Sequence, residues 1–228
     1  MIIKTKSHWF RMLFEWKGSV LPQLLPRLIL LFFFASSVVY FQKFFKTYNL
    51  SIDPAIFTLF GVALAIFLGF RNNASYERWW EGRKLWGALL NDSRSIARQA
   101  HSLIASDNYE IQRTNLINTL IATVHSLRHQ LRFTNSEADL KRLLGKEDCA
   151  KVSNAQFQPI MLLQMMADQI KDVKKENRIT SIEQLAFEEN FNKVSDIIGG
   201  CERIASTPIP YTYSVLLHRT VYIYCFLL

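Results

Sequence analysis

The chain has 228 residues, 27 of them Lys or Arg against 19 Asp or Glu, for a formal net charge of +8; half of it is hydrophobic and Phe alone supplies 17 residues. With only 8 Gly, 6 Pro and 3 Cys, it is not a disordered tail, a collagenous repeat or a disulfide scaffold. The length suits one domain or two, and the apolar residues are gathered in blocks rather than spread.

A basic balance points to nucleic acid or to an anionic membrane surface. No zinc-finger spacing, aromatic RNA-binding box or basic recognition helix is present, and the basic residues flank the apolar blocks, so no nucleic-acid partner is expected. Cys149, Cys201 and Cys225 form no C-x-x-C pair, so neither a zinc site nor a disulfide framework is indicated, and three thiols favour a reducing compartment.

Residues 1–19 interleave Lys4, Lys6, Arg11 and Lys17 with Trp9, Phe10, Leu13, Phe14 and Trp16. This is too broken for a cleavable signal. It predicts a basic, aromatic segment at a membrane interface, with an amphipathic helix capping a soluble core as the alternative.

Residues 20–86 predict a transmembrane hairpin. Leu28–Gln42 carries no charge, and Val20–Pro26 extends it to about the 20 residues a bilayer demands if Arg27 snorkels. The second apolar block, Pro54–Phe70, is bounded by Asp53 and Arg71, and the connector Lys43–Asp53 is short. Five basic residues and Glu15 precede the first block's core, and six (Arg71, Arg78, Arg83, Lys84, Arg94, Arg98) follow the second. The positive-inside rule then puts both ends, the N-terminus included, in the cytoplasm. Trp79, Trp80 and Trp86 read as interfacial or packing aromatics.

Within the second block, Gly61, Ala65 and Gly69 recur every four residues, and Val62, Ile66 and Phe70 run beside them. The small stripe suits close helix packing in lipid. In a ring of identical helices the bulky stripe would line the axis and form a hydrophobic constriction. Plain helix packing or lipid contact explains the same spacing.

Residues 87–207 predict a cytosolic helical domain. Leu116, Leu120, Val124, Leu127 and Leu131 share one face. Ala138–Leu144 reads as a short helix ended by Gly145, and Pro159–Asn177 as another, with Met161, Met165 and Met166 as adaptable core. Ser181 and Gln184 match a capping box that starts a helix through Arg203. Pro208 and Pro210 break it before a third apolar segment, 208–228, which holds Arg219 at an interface or facing a bundle.

Catalytic signals are missing from the sequence. His125 and His129 lie four apart, as zinc ligands can, but HSLRH has no intervening Glu and no evident third ligand. Glu188, Glu189 and Asp196 read as a solvated face. Asn72, Asn73 and Ser75 either line an aqueous path or cap backbone. Ser93, His101 and His218 suggest no triad. No enzyme activity, no cofactor and no metal is expected.

Phe57–Tyr76, containing FLGFRN, with Glu77–Gly87 behind it, closely resembles the pore helix of bacterial bestrophins. Gly199-Gly-Cys-Glu-Arg-Ile-Ala-Ser-Thr-Pro-Ile-Pro-Tyr211 is a second match, and His8-Trp-Phe with Trp16-x-Gly18-Ser a third. The resemblance runs along essentially the whole chain. It implies an all-α membrane protein: a bestrophin-like subunit whose transmembrane helices continue into a cytosolic helical domain. It further implies a homopentamer in the bacterial inner membrane that conducts monovalent ions passively. The family's neck falls on Val62, Ile66 and Phe70, and a second constriction, the cytosolic aperture, falls on Ile182. The family label implies chloride or another anion. The aliphatic Val62 and Ile66, where animal chloride channels are richer in Phe, leave chloride selectivity open, with cation conduction as the alternative the resemblance to bacterial members implies. Family chains continue past the position of Leu228 through further membrane helix and a cytosolic tail whose acidic residues bind calcium in animals. The third segment therefore reads as truncated, and calcium activation has no support. The rival from another class is a membrane-anchored helical interaction protein that conducts nothing.

Overall fold

The computed structural model describes residues 21–41, 54–104 and 109–227. The expected interfacial segment at 1–19 and the connector of the hairpin lie outside them. Among the described residues the chain forms eight α-helices and no strand. They are α1 (Leu21–Tyr40), α2 (Pro54–Leu103), α3 (Glu110–Arg132), α4 (Glu137–Leu143), α5 (Lys146–Ser153), α6 (Gln158–Lys175), α7 (Ser181–Ser206) and α8 (Tyr211–Leu227). By contacts the chain divides into two units, residues 1–58 and 59–228.

In the first unit, α1 carries Pro26 inside it. Its side chains from Leu24 to Tyr40 are all exposed, Leu30, Phe32, Phe33 and Val39 most of all.

The second unit is organised by α2, which enters it at Leu59. Proline at its first position is preset for helix entry, and no later Pro interrupts its 50 residues. At a rise of about 1.5 Å per residue it is about 75 Å long. Its apolar first half and its polar second half are one rod with no loop between them. From Phe57 onward it is, among the described helices, the one long and apolar enough to cross a membrane.

Beyond Gly87, α2 turns one face into a core. Leu89, Ile96 and Ala100 meet Leu116, Leu120 and Leu127 of α3, Met166, Ile170 and Val173 of α6, and Phe187, Phe191, Val194 and Ile198 of α7. The i, i+4 and i+7 spacing expected for α3 is this buried stripe, with Val124 and Leu131 packed at its edge. Each fully buried Leu, Ile or Phe contributes about 1.5–3 kcal/mol of transfer free energy. A smaller cluster of Ala122, Leu140, Cys149, Val152 and Leu162, flanked by Met161 and Met165, holds α4 and α5 against α3 and α6. The methionines are core filling, as expected.

Three local readings need correction. The capping box lies one residue earlier than Ser181 and Gln184. The Thr180 hydroxyl accepts from the Glu183 N–H at 3.2 Å, and the Glu183 carboxylate accepts from the Thr180 N–H at 2.7 Å. Thr180 has the extended φ −78°, ψ 168° of a cap, whereas Ser181 is already helical. Gly145 does not end α4 in a left-handed turn: Leu144 leaves the helix extended, and Gly145 (φ −63°, ψ 161°) is the N-cap of α5, a helix the sequence reading missed. The helix expected over Pro159–Asn177 ends at Lys175, and Asn177 is left-handed at φ 56°.

One glycine sits at a close crossing. A Cβ on Gly200 would stand 3.0 Å from the Leu85 Cδ2, so α7 approaches α2 closely enough there that a side chain would push on Leu85. Gly199 beside it faces open space.

Candidate ion pathway along the second helix

Val62, Ile66 and Phe70 stand on one side of α2 and are 53, 51 and 60% exposed. Successive fourth residues on a helix advance by about 40°, so the three form a gently winding stripe. Among the described residues none buries it. Gly61, Ala65 and Gly69 lie on the adjacent side, and added Cβ atoms on Gly61 and Gly69 would meet nothing within 4 Å. Ile182, the second residue of α7, is 80% exposed. The expected neck and aperture residues thus sit on different helices, and each is more than half exposed.

Past Phe70 the surface turns polar and aromatic. Asn72, Asn73 and Ser75 are exposed, and the Ser75 hydroxyl donates back to the Arg71 carbonyl at 2.9 Å, one turn earlier in the same helix. Tyr76 stacks on Trp80, with ring centroids 6.5 Å apart, and Trp79 tilts against both. The Lys84 ammonium lies 5.9 Å from the centre of the Trp80 ring. Such an aromatic and cationic collar suits a water–lipid boundary.

One turn along, α2 is fastened to α7. The Arg78 guanidinium donates to the Thr207 carbonyl at 2.5 Å and also to the Ile204 carbonyl. Arg203 pairs with Glu81 at 2.5 Å. These groups, with Ala74, Glu77, Pro208 and Ile209, border an open cavity of about 300 Å³. Reading the sequence missed this junction and counted Arg78 only as a cytoplasmic charge. The available signal was the Pro at 208, four residues after Ile204, which removes the donor that the Ile204 carbonyl would otherwise use.

His125 and His129 both turn to Asp139, each with a ring nitrogen 3.1 Å from Oδ2. Arg128 donates to the same oxygen at 2.8 Å, and Arg142 lies 3.2 Å from Oδ1. The hydrogen bond from His129 is the chief cause holding the Asp139 carboxyl below its ordinary range; burial opposes it, and His125, Arg128 and Arg142 add to it. His129 Nε2 is also 2.7 Å from Arg128. It accepts from the guanidinium when neutral and donates to the carboxylate when protonated. The histidines serve this hub, and no metal-ligand set stands among the described residues. Ser93, His101 and His218 do not come together: Ser93 is on the α2 core side, and the two histidines are exposed. Glu189 and Asp196 are exposed, as expected of a solvated face, and Arg219 is exposed on α8. Cys149 and Cys201 are buried free thiols, and burial, with Glu202 beside it, pushes the Cys201 thiol up.

The arrangement has relatives. The model of the Bacterial/Fungal Bestrophin protein family matches residues 1–228. A voltage-dependent anion channel-forming protein of Ralstonia nicotianae is 45% identical over 227 residues, 99% of this chain and 74% of the relative. The voltage-dependent anion channel-forming protein YneE of Escherichia coli is 36% identical over 228 residues, all of this chain and 74% of its own. The crystal structure of a single-residue variant of a bestrophin homologue from Klebsiella pneumoniae superposes with a TM-score of 0.85 at 33% identity, covering 92% of this chain and 76% of that one. The fold is therefore shared with that bestrophin homologue, and this chain belongs to the bacterial and fungal bestrophin family.

Proposed function

We propose that the chain is the subunit of an ion channel in which α2 from each copy lines a common axis. The observation that carries this reading is the stripe of Val62, Ile66 and Phe70, exposed on a continuous helix and not buried by any described residue. Relatives named as anion channel-forming proteins support it. The assembly is a homopentamer in the bacterial inner membrane, with the N-terminus in the cytoplasm and α1, the first half of α2 and α8 in lipid.

In this reading the stripe is the neck. Its rings of apolar side chains offer an ion no replacement for its water, so a narrow neck empties of water and closes, and a slightly wider one fills and conducts. Such a gate is indifferent to the sign of the charge. Selection between anions and cations is set by the polar and charged groups beyond it. Ile182 forms a second apolar constriction in the cytosolic vestibule. Monovalent ions pass down their electrochemical gradient, with no cofactor and no catalytic group.

The test is current across a planar bilayer under asymmetric KCl. Phe70→Ala widens the neck and raises unitary conductance. A reversal potential displaced toward the chloride equilibrium value gives an anion channel, and displacement toward the potassium value a cation channel. Unchanged current from an assembled Phe70→Ala protein overturns the pore assignment and leaves a membrane-anchored interaction protein.

A further inference from the structure

The carbonyls at the end of α7 are short of donors. In a continuing helix the Ile204 carbonyl would accept from the N–H of residue 208, and that residue is Pro208. The Thr207 carbonyl follows the last turn, in a linker whose Pro208 and Pro210 donate nothing. Arg78 of α2 supplies both bonds from one guanidinium. Its charge also lies at the negative end of the α7 dipole. The planar fork of arginine spans two carbonyls in a way the single ammonium of lysine does not. Glu81, one turn along α2, pairs with Arg203 and gives the junction a second attachment.

The positions of the two ends matter. Arg78 is eight residues beyond Phe70 on an unbroken helix, a rise of about 12 Å. At the other end of α7 stands Ile182, about 37 Å from Thr207 along the helix. Between them Phe187, Phe191, Val194 and Ile198 are buried in the core, Gln99 of α2 accepts from Asn190 and donates to the Ala186 carbonyl, and Thr180 and Glu183 cap the start, so α7 is one unbroken helix held to α2 along its length. Of these attachments the bonds from Arg78 lie nearest the neck, two turns past Phe70, so they are where a displacement of α7 would reach the neck end of α2.

We propose that Arg78 is a positioning residue that fastens the neck helix to α7 and so makes the two constrictions open and close together. This rests on the pore reading of Val62, Ile66, Phe70 and Ile182. If the constrictions were independent, Ile182→Ala would change the current through an open channel and leave the neck's open–closed equilibrium alone. With the latch in place, it shifts that equilibrium.

The experiment is single-channel recording of the full chain in planar bilayers. Ile182→Ala is compared in three backgrounds: Arg78, Arg78→Ala and Arg78→Lys. With Arg78 present, Ile182→Ala shifts the open–closed equilibrium by about fivefold or more. In Arg78→Ala and in Arg78→Lys the shift falls to within about twofold of none, while the unitary current still responds to Ile182→Ala. Arg78→Lys keeps the charge at the end of α7, so it carries the comparison if Arg78→Ala does not assemble. The same shift in all backgrounds, or no shift in any, overturns the latch, and full coupling in Arg78→Lys overturns the two-carbonyl geometry. Phe70→Ala in the same preparation separates the failures: if it raises conductance, only the latch has failed, and if it changes nothing, the pore reading has failed and takes the latch with it.

Discussion

The two halves of α2 carry similar apolar stripes and meet different fates. In the second half, Leu89, Ile96 and Ala100 are buried against α3, α6 and α7. In the first half, Val62, Ile66 and Phe70 repeat at similar spacing and stay more than half exposed. The helix geometry is the same throughout. What differs is that the described residues bury one stripe and leave the other exposed. An apolar stripe without a partner in its own chain awaits lipid, another copy or an axis, whereas a covered stripe is spent on folding.

This contrast can be broken most directly at the core. Phe187 is fully buried, and Phe187→Ala is expected to cost about 3–5 kcal/mol of stability, read as the loss in chemical or thermal unfolding of the purified protein. Ile66→Ala is expected to stay within about 0.5 kcal/mol in the same assay while altering current. A large destabilisation by Ile66→Ala would mean the first stripe is packed after all. Next in size is Gly200→Val. The new side chain would press on Leu85, at a cost of about 1–3 kcal/mol, whereas Gly199→Ala, facing open space, is expected to be neutral or stabilising. Equal effects at the two glycines would place the close crossing elsewhere.

Smaller effects sharpen the contrast at the ends of the covered half. Thr180→Ala removes the hydroxyl that accepts from the Glu183 N–H and is expected to cost about 1 kcal/mol. Ser181→Ala is expected to cost less, and the reverse order would restore the capping register first read from the sequence. The smallest effect is at Asp139. Because its carboxyl is held below the ordinary range, its contribution is present above that range and is lost as pH falls through the depressed value. The stability difference between the protein and Asp139→Asn, followed by melting temperature against pH, is expected to be largest near neutrality and to vanish in acid. A difference that grew in acid would show that the neutral carboxyl is the form the hub prefers.

The stripes proposed for the site were legible because they are periodic and local. The stripes at 61/65/69 and 62/66/70 lie on single helical faces wherever the helix forms, and the leucines of α3 identified their own buried face. Errors came where one-residue choices decide. Thr180 and Ser181 are both good caps, and only the extended backbone at Thr180, with Glu183 three residues on, separates them. Gly145 can end one helix or begin the next, and α5 has too few apolar residues to announce itself. Phe133, left-handed at φ 54° and 94% exposed, ends α3 where Gly or Asn is usual; no rule of composition marks it.

The amino-acid sequence by itself determined an all-helical chain, the apolar block at the start of α2 and the bestrophin motifs at its two best-marked stretches. These follow from interactions among residues a few positions apart, which periodicity and turn chemistry record. Only the tertiary structure decided which stripes are covered, that Asp139 gathers two histidines and two arginines, and that Arg78 reaches carbonyls 126 and 129 residues away. The cause is physical: a side chain bonds whatever donor-poor group the fold sets within its reach. For the Ile204 carbonyl the missing donor was already written as Pro208, but which distant arginine would replace it depended on how α7 crosses α2 at Gly200.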